Sequence, residues 1–230
     1  MHAFHTISDA RRQLDWVFTN RLHKNPIFDP IEKVRFPIGL FFIRGDRAGA
    51  AKDLIEQVVA SYDYWNGESG LFLDIVLPGW GNDSGLIDFN SEMFRAYKNE
   101  IESISRWRSS GETEILLLNY DYKFTRWDGP QSFWGVGDFA FDETICLPVE
   151  QMARDGRIGS MDGFMQELFN SAKEHPHRTN ESSLWIIRDK IALQRGLNAT
   201  WQGLLEATLK SFSGLYQTIR PFQITNLQTR

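Results

Sequence analysis

The fold of this chain is decided by residues 36–81, which read FPIGLFFIRGD, then RAGAAKDLIEQVVASYDYWNGES, then GLFLDIVLPGWG. The first and last segments contain continuous apolar runs, which are typical of strands buried on both faces of a sheet. The middle segment repeats apolar residues at helical spacing. We therefore expect strands at residues 38–44 and 71–77, joined by a helix at residues 48–65, in a parallel βαβ unit.

The same alternation continues along the rest of the chain. A helix at residues 6–22 precedes the unit, and a helix that begins at Asn90 or Ser91 leads into a third strand at residues 114–120. Residues 121–142 are rich in glycine and aromatic residues and predict a long loop or an inserted hairpin. The elements expected after them are a fourth strand at residues 143–149, a helix capped by Ser160, either a fifth strand or the start of a helix at residues 184–187, and a last helix at residues 198–219.

This order of elements predicts an α/β fold with three layers. We expect a mostly parallel sheet of about five strands flanked by helices, the rhythm that flavodoxin-like sheets also show. Residues 1–35 are expected to form an N-terminal helical arm and a connector packed on the domain, and residues 36–230 a single domain. Because many functions share this rhythm, it indicates nothing about function.

Composition excludes several classes of protein. The 230 residues are 42% hydrophobic and 24% charged, which is typical of a globular domain. A net charge of −5 disfavours binding to duplex nucleic acid. The single cysteine, Cys146, excludes a disulfide within the chain and a zinc site built from cysteines. The first residues lack the apolar core of a signal peptide, and no run of about 18 apolar residues occurs, so we expect a soluble cytoplasmic protein without a membrane partner.

Acidic residues follow each predicted strand, and they are the first candidates for a site. Ligands of open parallel α/β sheets bind outside the carboxyl ends of the strands. There Asp46 and Asp121 would ligate Mg²⁺, and Glu150 would orient water, as catalytic residues. The structural alternative is that these carboxylates cap helices or face water. Two further acidic residues follow strand candidates, Asp83 and Asp189.

Aromatic and arginine residues in the glycine-rich turns form a second candidate site. Flat rings in loops suit stacking on a base, a sugar or a partner side chain, and arginine pairs with phosphate. The alternative is that the tryptophans fold back as lids over the end of the sheet. The residues predicted to bind a ligand or partner are Arg44, Arg47, Trp80, Arg126, Trp127 and Trp134.

Three weaker motifs carry no function. The GxGxxA match at residues 135–140 is not followed by a helix pattern, which a dinucleotide fingerprint requires. His175 and His177 flank a proline but lack a third metal ligand in the sequence. Cys146 lies in an apolar run and is expected to be a core residue.

Two functions remain open from the sequence. The first is a binding or interaction protein, a non-catalytic subunit or accessory component of a larger system, with a protein partner or self-association. A small-molecule or nucleotide ligand is compatible with it. The alternative is a metal-dependent hydrolase that processes a nucleotide or phosphoester with the strand-end carboxylates, and Mg²⁺ is a cofactor only under that alternative.

Overall fold

The computed structural model describes residues 2–24, 33–46, 50–61, 64, 73–81, 88–126, 133–173, 184 and 187. They form an α/β fold with a five-stranded mixed sheet and a second sheet of two short strands. The strands are β1 (His2–Phe4), β2 (Lys33–Phe42), β3 (Asp74–Pro78), β4 (Trp80–Gly81), β5 (Asp88–Phe89), β6 (Glu114–Arg126) and β7 (Phe133–Leu147). The helices are α1 (Ile7–Lys24), α2 (Ala50–Ala60), α3 (Ser91–Ile104), α4 (Val149–Arg154) and α5 (Met161–Lys173).

The large sheet joins a parallel half to an antiparallel half. Its strand order is β1-β3-β2-β6-β7. Strands β1 and β2 run parallel to β3, as the βαβ prediction requires, whereas β6 runs antiparallel to both β2 and β7. The prediction of a mostly parallel sheet is therefore wrong, since half of these four pairings are antiparallel.

The antiparallel half includes the described part of residues 121–142, for which the sequence predicts a long loop or an inserted hairpin. Strands β6 and β7 are separated only by residues 127–132, and a connection this short cannot make the crossover between parallel strands. The third strand continues past the predicted end at residue 120, and the fourth begins well before residue 143. The hairpin alternative is thus the correct one for the described residues.

Several other predictions are tested by the described elements. The helices expected before the unit, within it, after Asn90 and after Ser160 are all present as α1, α2, α3 and α5. Leu184 and Ile187 are helical and buried, which agrees with a helix start there and not with a strand. The last predicted helix, at residues 198–219, lies outside the described residues. In the described part of the chain, no helix combines the length and apolarity needed to cross a membrane.

Four elements have no counterpart in the sequence prediction: β1, the short strands β4 and β5, and α4. Strand β1 pairs with β3 at the edge of the large sheet, so the N-terminal residues contribute to the sheet itself. Strand β2 begins at Lys33, so the predicted boundary between residues 35 and 36 lies within a strand. The short helix α4 begins after Pro148, within the region where the sequence predicts only the end of the fourth strand.

The hydrophobic core is divided into two clusters by the sheet. Alternation along β3 sends Ile75 and Leu77 to one cluster and Val76 to the other. The first cluster includes apolar residues of α2, α4 and α5, and the second includes those of α1 and α3. Helical side chains therefore contribute to both clusters, while the three-layer arrangement stays a prediction.

Gly135 and Gly137, the two glycines of the GxGxxA match, have a structural role in β7. The rings of Tyr122 and Tyr120 lie directly over Gly135 and Gly137, where a Cβ atom would overlap them. Asp15 of α1 accepts hydrogen bonds from the Gly137 amide and the Tyr120 hydroxyl, both at 2.7 Å. The motif therefore makes room for aromatic packing between α1 and the edge strand.

We expect Gly135→Ala to lower the free energy of unfolding by about 1–3 kcal/mol, the usual cost of overpacking a core. The new methyl group would overlap the Tyr122 ring, which is buried under α1. Urea denaturation of the purified chain measures the change. Gly159→Ala is the control, because no atom lies within 4 Å of a Cβ placed there. Equal stability of the two variants would contradict this packing.

Candidate functional site

A surface cleft of about 270 Å³ lies beyond the carboxyl end of β2. It is formed between the end of β2, the first turns of α3 and the loop that precedes β6. Because β2 belongs to the parallel half, this is the end of the sheet where α/β proteins bind their ligands. The residues that line the cleft are Arg44, Ser91, Phe94, Arg95, Lys98, Asn99, Ser109, Gly111 and Glu112.

Helix α3 presents two of the cations. The Asn90 side chain caps the helix by accepting hydrogen bonds from two amides of the first turn, at residues 92 and 93, each at 3.0 Å. A buried stripe of Phe94, Tyr97 and Ile101 fixes which face packs on the sheet. Arg95 and Lys98 stand beside this stripe, three residues apart and therefore on neighbouring positions of the helix surface.

The third cation, Arg44, is placed by a buried anchor at the end of β2. The indole of Trp80 donates a hydrogen bond of 2.8 Å to the Ile43 carbonyl. Gly45 lies against the Phe89 side chain, where a Cβ atom would come within 2.7 Å of the Phe89 Cβ. The residues on both sides of Arg44 are thus held in place, and this fixes the position of the Arg44 backbone.

Arg44 forms a bidentate ion pair with Asp46. The Arg44 Nε and Nη2 atoms donate to the two carboxylate oxygens at 2.9 and 2.8 Å. Both side chains are about 40% exposed. The hydrogen bond from Arg44 holds the pKa of Asp46 below its usual range, although partial burial opposes this effect. The pair lies at the rim of the cleft because Arg44 is one of its lining residues.

A buried carboxyl group holds the opposite wall, residues 105–112. Glu114 Oε1 accepts hydrogen bonds from the Ser109 hydroxyl at 2.9 Å and the Ser110 amide at 3.1 Å. The Cys146 thiol donates to the second oxygen at 3.1 Å. Burial raises the pKa of Glu114, and it raises that of the Cys146 thiol above its usual range as well. Cys146 is therefore a structural thiol and not a reactive one.

The lining of the cleft is predominantly positive. It carries three cations and one carboxylate, Glu112. Glu112 is itself paired with Arg154 at 2.8 Å, and Lys98 lies 3.8 Å from Glu102. A concave surface whose lining carries more positive than negative side chains attracts anions, here in a chain whose net charge is −5.

The three carboxylates predicted to be catalytic do not meet. Strand β6 runs antiparallel to β2, so Glu114 lies opposite Phe42, and Asp121 lies seven residues further along β6, opposite Arg35. At about 3.3 Å per residue, Asp121 is about 23 Å from that end of the strand. The prediction that Asp121 joins Asp46 and Glu150 is wrong because it assumed that this strand was parallel to β2.

Each of these carboxylates has a structural partner. Asp121 pairs with Arg35 at 2.8 Å, and Glu150 is buried in α4, where it accepts a hydrogen bond of 2.9 Å from the Thr113 amide. Asp46 pairs with Arg44 as described above. In the ranges that the structure describes, no three His, Cys, Asp or Glu side chains are placed to hold a metal ion.

The predicted binding residues fall into two groups. Arg44 lies in the cleft, whereas Trp80 is buried in the first core cluster and is not available for stacking on a ligand. The others cannot be compared with the cleft: Arg47 and Trp127 lie outside the described residues, and the side chains of Arg126 in β6 and Trp134 in β7 do too.

Sequence reasoning missed Arg95 and Lys98. The available signal was a pair of cations three residues apart on the polar face of the helix after Asn90. The same pattern is typical of any solvated helix face, so it indicates a site only once the helix is known to border a strand end.

Comparison with known proteins adds no relationship to this description. No protein-family model and no curated protein matches the chain, and no solved structure does either. What the cleft can bind is therefore inferred from its geometry and charge.

We expect Trp80→Phe to lower the free energy of unfolding by about 1–3 kcal/mol, because the buried Ile43 carbonyl loses its indole donor. Thermal and urea denaturation measure this loss. Trp16→Phe is the matched control, since the Trp16 side chain is 62% exposed. If both substitutions had the same small effect, Trp80 would not be the anchor of the strand end.

A second prediction concerns pH. Folding raises the pKa of Glu114 above its usual value near 4.5. At pH values above about 4.5, the folded protein therefore binds more protons at this residue than the unfolded protein does. The free energy of unfolding should therefore fall as pH rises from about 4.5 through the raised pKa. In Glu114→Gln this contribution should disappear, because the amide does not titrate but keeps an acceptor oxygen. Urea denaturation of both proteins at several pH values tests it, and a constant difference between them would contradict it.

Proposed function

We propose that this chain is a cytoplasmic binding protein, a non-catalytic subunit or accessory component of a larger system, whose cleft takes an anionic ligand. The observation that carries the proposal is the convergence of Arg44, Arg95 and Lys98 on one cleft. The three come from two different elements, the end of β2 and helix α3, and they border a position where α/β sheets bind ligands.

The chemistry of the lining favours a phosphate or carboxylate group. Arginine presents a planar fork that matches two oxygens of one anion, and lysine adds a compact charge. The volume of about 270 Å³ is slightly below that of small-molecule sites, which span about 300–1,000 Å³. A small oxyanion, or the phosphate part of a larger ligand that extends into solvent, therefore suits the cleft best.

The candidate carboxylates are already bonded to other groups of the protein, and this supports a binding function over hydrolysis. Asp121 and Glu150 are held by Arg35 and by the Thr113 amide, on different parts of the fold. A metal-dependent hydrolase needs several carboxylates around one ion and one water. The described residues lend that alternative no support.

A protein partner is part of the same proposal. Among the described residues, the large apolar side chains that are well exposed include Trp16 at 62% and Val136 at 65%. Tryptophan is enriched among residues that dominate the energy of protein interfaces. Single exposed apolar residues are also common on ordinary surfaces, so the cleft and not these residues carries the proposal.

We expect the wild-type chain to bind pyrophosphate and the double variant Arg95→Ala/Lys98→Ala to bind it at least tenfold more weakly. Titration followed by NMR measures the affinity and reports whether the amides of residues 91–99 and 109–112 shift. Binding should also weaken as salt is added, because exposed charges are screened.

The matched control for this experiment is Lys52→Ala. Lys52 forms an i,i+4 pair with Glu56 on α2, as Lys98 does with Glu102 on α3. It does not line the cleft. The proposed function would fail if wild type did not bind pyrophosphate, or if Lys52→Ala weakened binding as much as the double variant.

A further inference from the structure

Asp46 occupies the hydrogen-bonding edge of Arg44, which lines the cleft. Its two carboxylate oxygens accept from the Nε and Nη2 atoms of Arg44, the two-point contact that arginine makes with a phosphate or carboxylate ligand. The charge of Arg95 also acts on this carboxylate and contributes to its lowered pKa, after the larger effects of Arg44. Asp46 is thus already the ion-pair partner of Arg44.

We infer that the Asp46 carboxylate takes the place of the ligand on the Arg44 guanidinium, and that a phosphate or carboxylate group of the ligand displaces this carboxylate on binding. This inference rests on the proposed function of the cleft, and it adds that Asp46 competes with the ligand for Arg44. In the exchange, Arg44 releases two carboxylate oxygens and gains two ligand oxygens, while the Asp46 carboxylate returns to water.

The local structure allows this exchange without moving the cleft. Asp46 lies in an exposed turn, and its side chain is 40% accessible, so it can be solvated where it stands. Gly45, in contrast, is packed against Phe89, and the Ile43 carbonyl is bonded to Trp80. The backbone that carries Arg44 is therefore fixed, and only the carboxylate has to leave.

The competition sets both the strength and the selectivity of binding. Exposed ion pairs contribute little to stability, so displacing Asp46 should reduce ligand affinity only about two- to fivefold. A ligand that presents two oxygens to Arg44 recovers both hydrogen bonds. A halide ion cannot do so, and the cleft should therefore prefer oxyanions to chloride of the same charge.

The test is the affinity of Asp46→Asn for pyrophosphate, measured by the same NMR titration. We expect it to bind about two- to fivefold more tightly than wild type. In an Arg44→Gln background the substitution should give no gain, because there is no guanidinium left to release. Asparagine and serine both suit an exposed turn, so Asp46→Ser is a second variant that should show the same gain.

Asp138→Asn is the matched control. Asp138 also forms a surface pair with an arginine, Arg11, at 2.8 Å, and it lies on β7 opposite Asp121, far from the cleft. An equal gain in Asp138→Asn would mean that only the net charge matters, and this would overturn the inference. So would a gain that persists in the Arg44→Gln background.

The two proposals fail in distinguishable ways. If neither wild type nor Asp46→Asn binds pyrophosphate, the proposed function falls and the inference falls with it. If wild type binds and Arg95→Ala/Lys98→Ala weakens the binding, but neither Asp46 variant strengthens it, the cleft is an anion site and only the role of Asp46 is overturned.

Discussion

The pairing of β2 with neighbours of opposite direction is the constraint on which the rest of the structure depends. On one side β2 is parallel to β3, and on the other it is antiparallel to β6 over its whole length, from Lys33 to Phe42. The parallel side requires a crossover, which α2 supplies. The antiparallel side brings the beginning of β6 to the carboxyl end of β2. The loop before β6 and the residues after β2 therefore meet, and the cleft lies between them.

The cleft depends on buried polar contacts behind it more than on the charges that line it. Trp80 holds the end of β2 through the Ile43 carbonyl, and Glu114 holds the facing loop through Ser109 and Ser110. These contacts are buried or partly buried, so leaving one of their groups without a partner is costly. The cations, by comparison, are surface side chains that can adjust to a ligand.

The sheet also explains why an apparent cofactor motif has a packing role. Gly135 and Gly137 lie in the edge strand under the rings of Tyr122 and Tyr120, and Asp15 of α1 bonds to the Gly137 amide. A hydrogen bond from helix to edge strand occupies a backbone group that could otherwise pair with another chain. The glycines are needed because the two aromatic rings occupy the space of their missing side chains.

The sequence by itself determined the elements whose signals are local. The apolar run after Phe36, the amphipathic stripe of α3 and its Asn90 cap, and the helix after Ser160 all follow from neighbours a few residues apart. Arg44, which the sequence singles out because it follows a recognisable strand, lines the cleft. Only the tertiary structure decided the direction of β6, and with it that Asp121 is remote while Arg95 and Lys98 line the cleft. Strand direction depends on pairing between distant segments, and no local pattern in β6 distinguishes a parallel from an antiparallel neighbour.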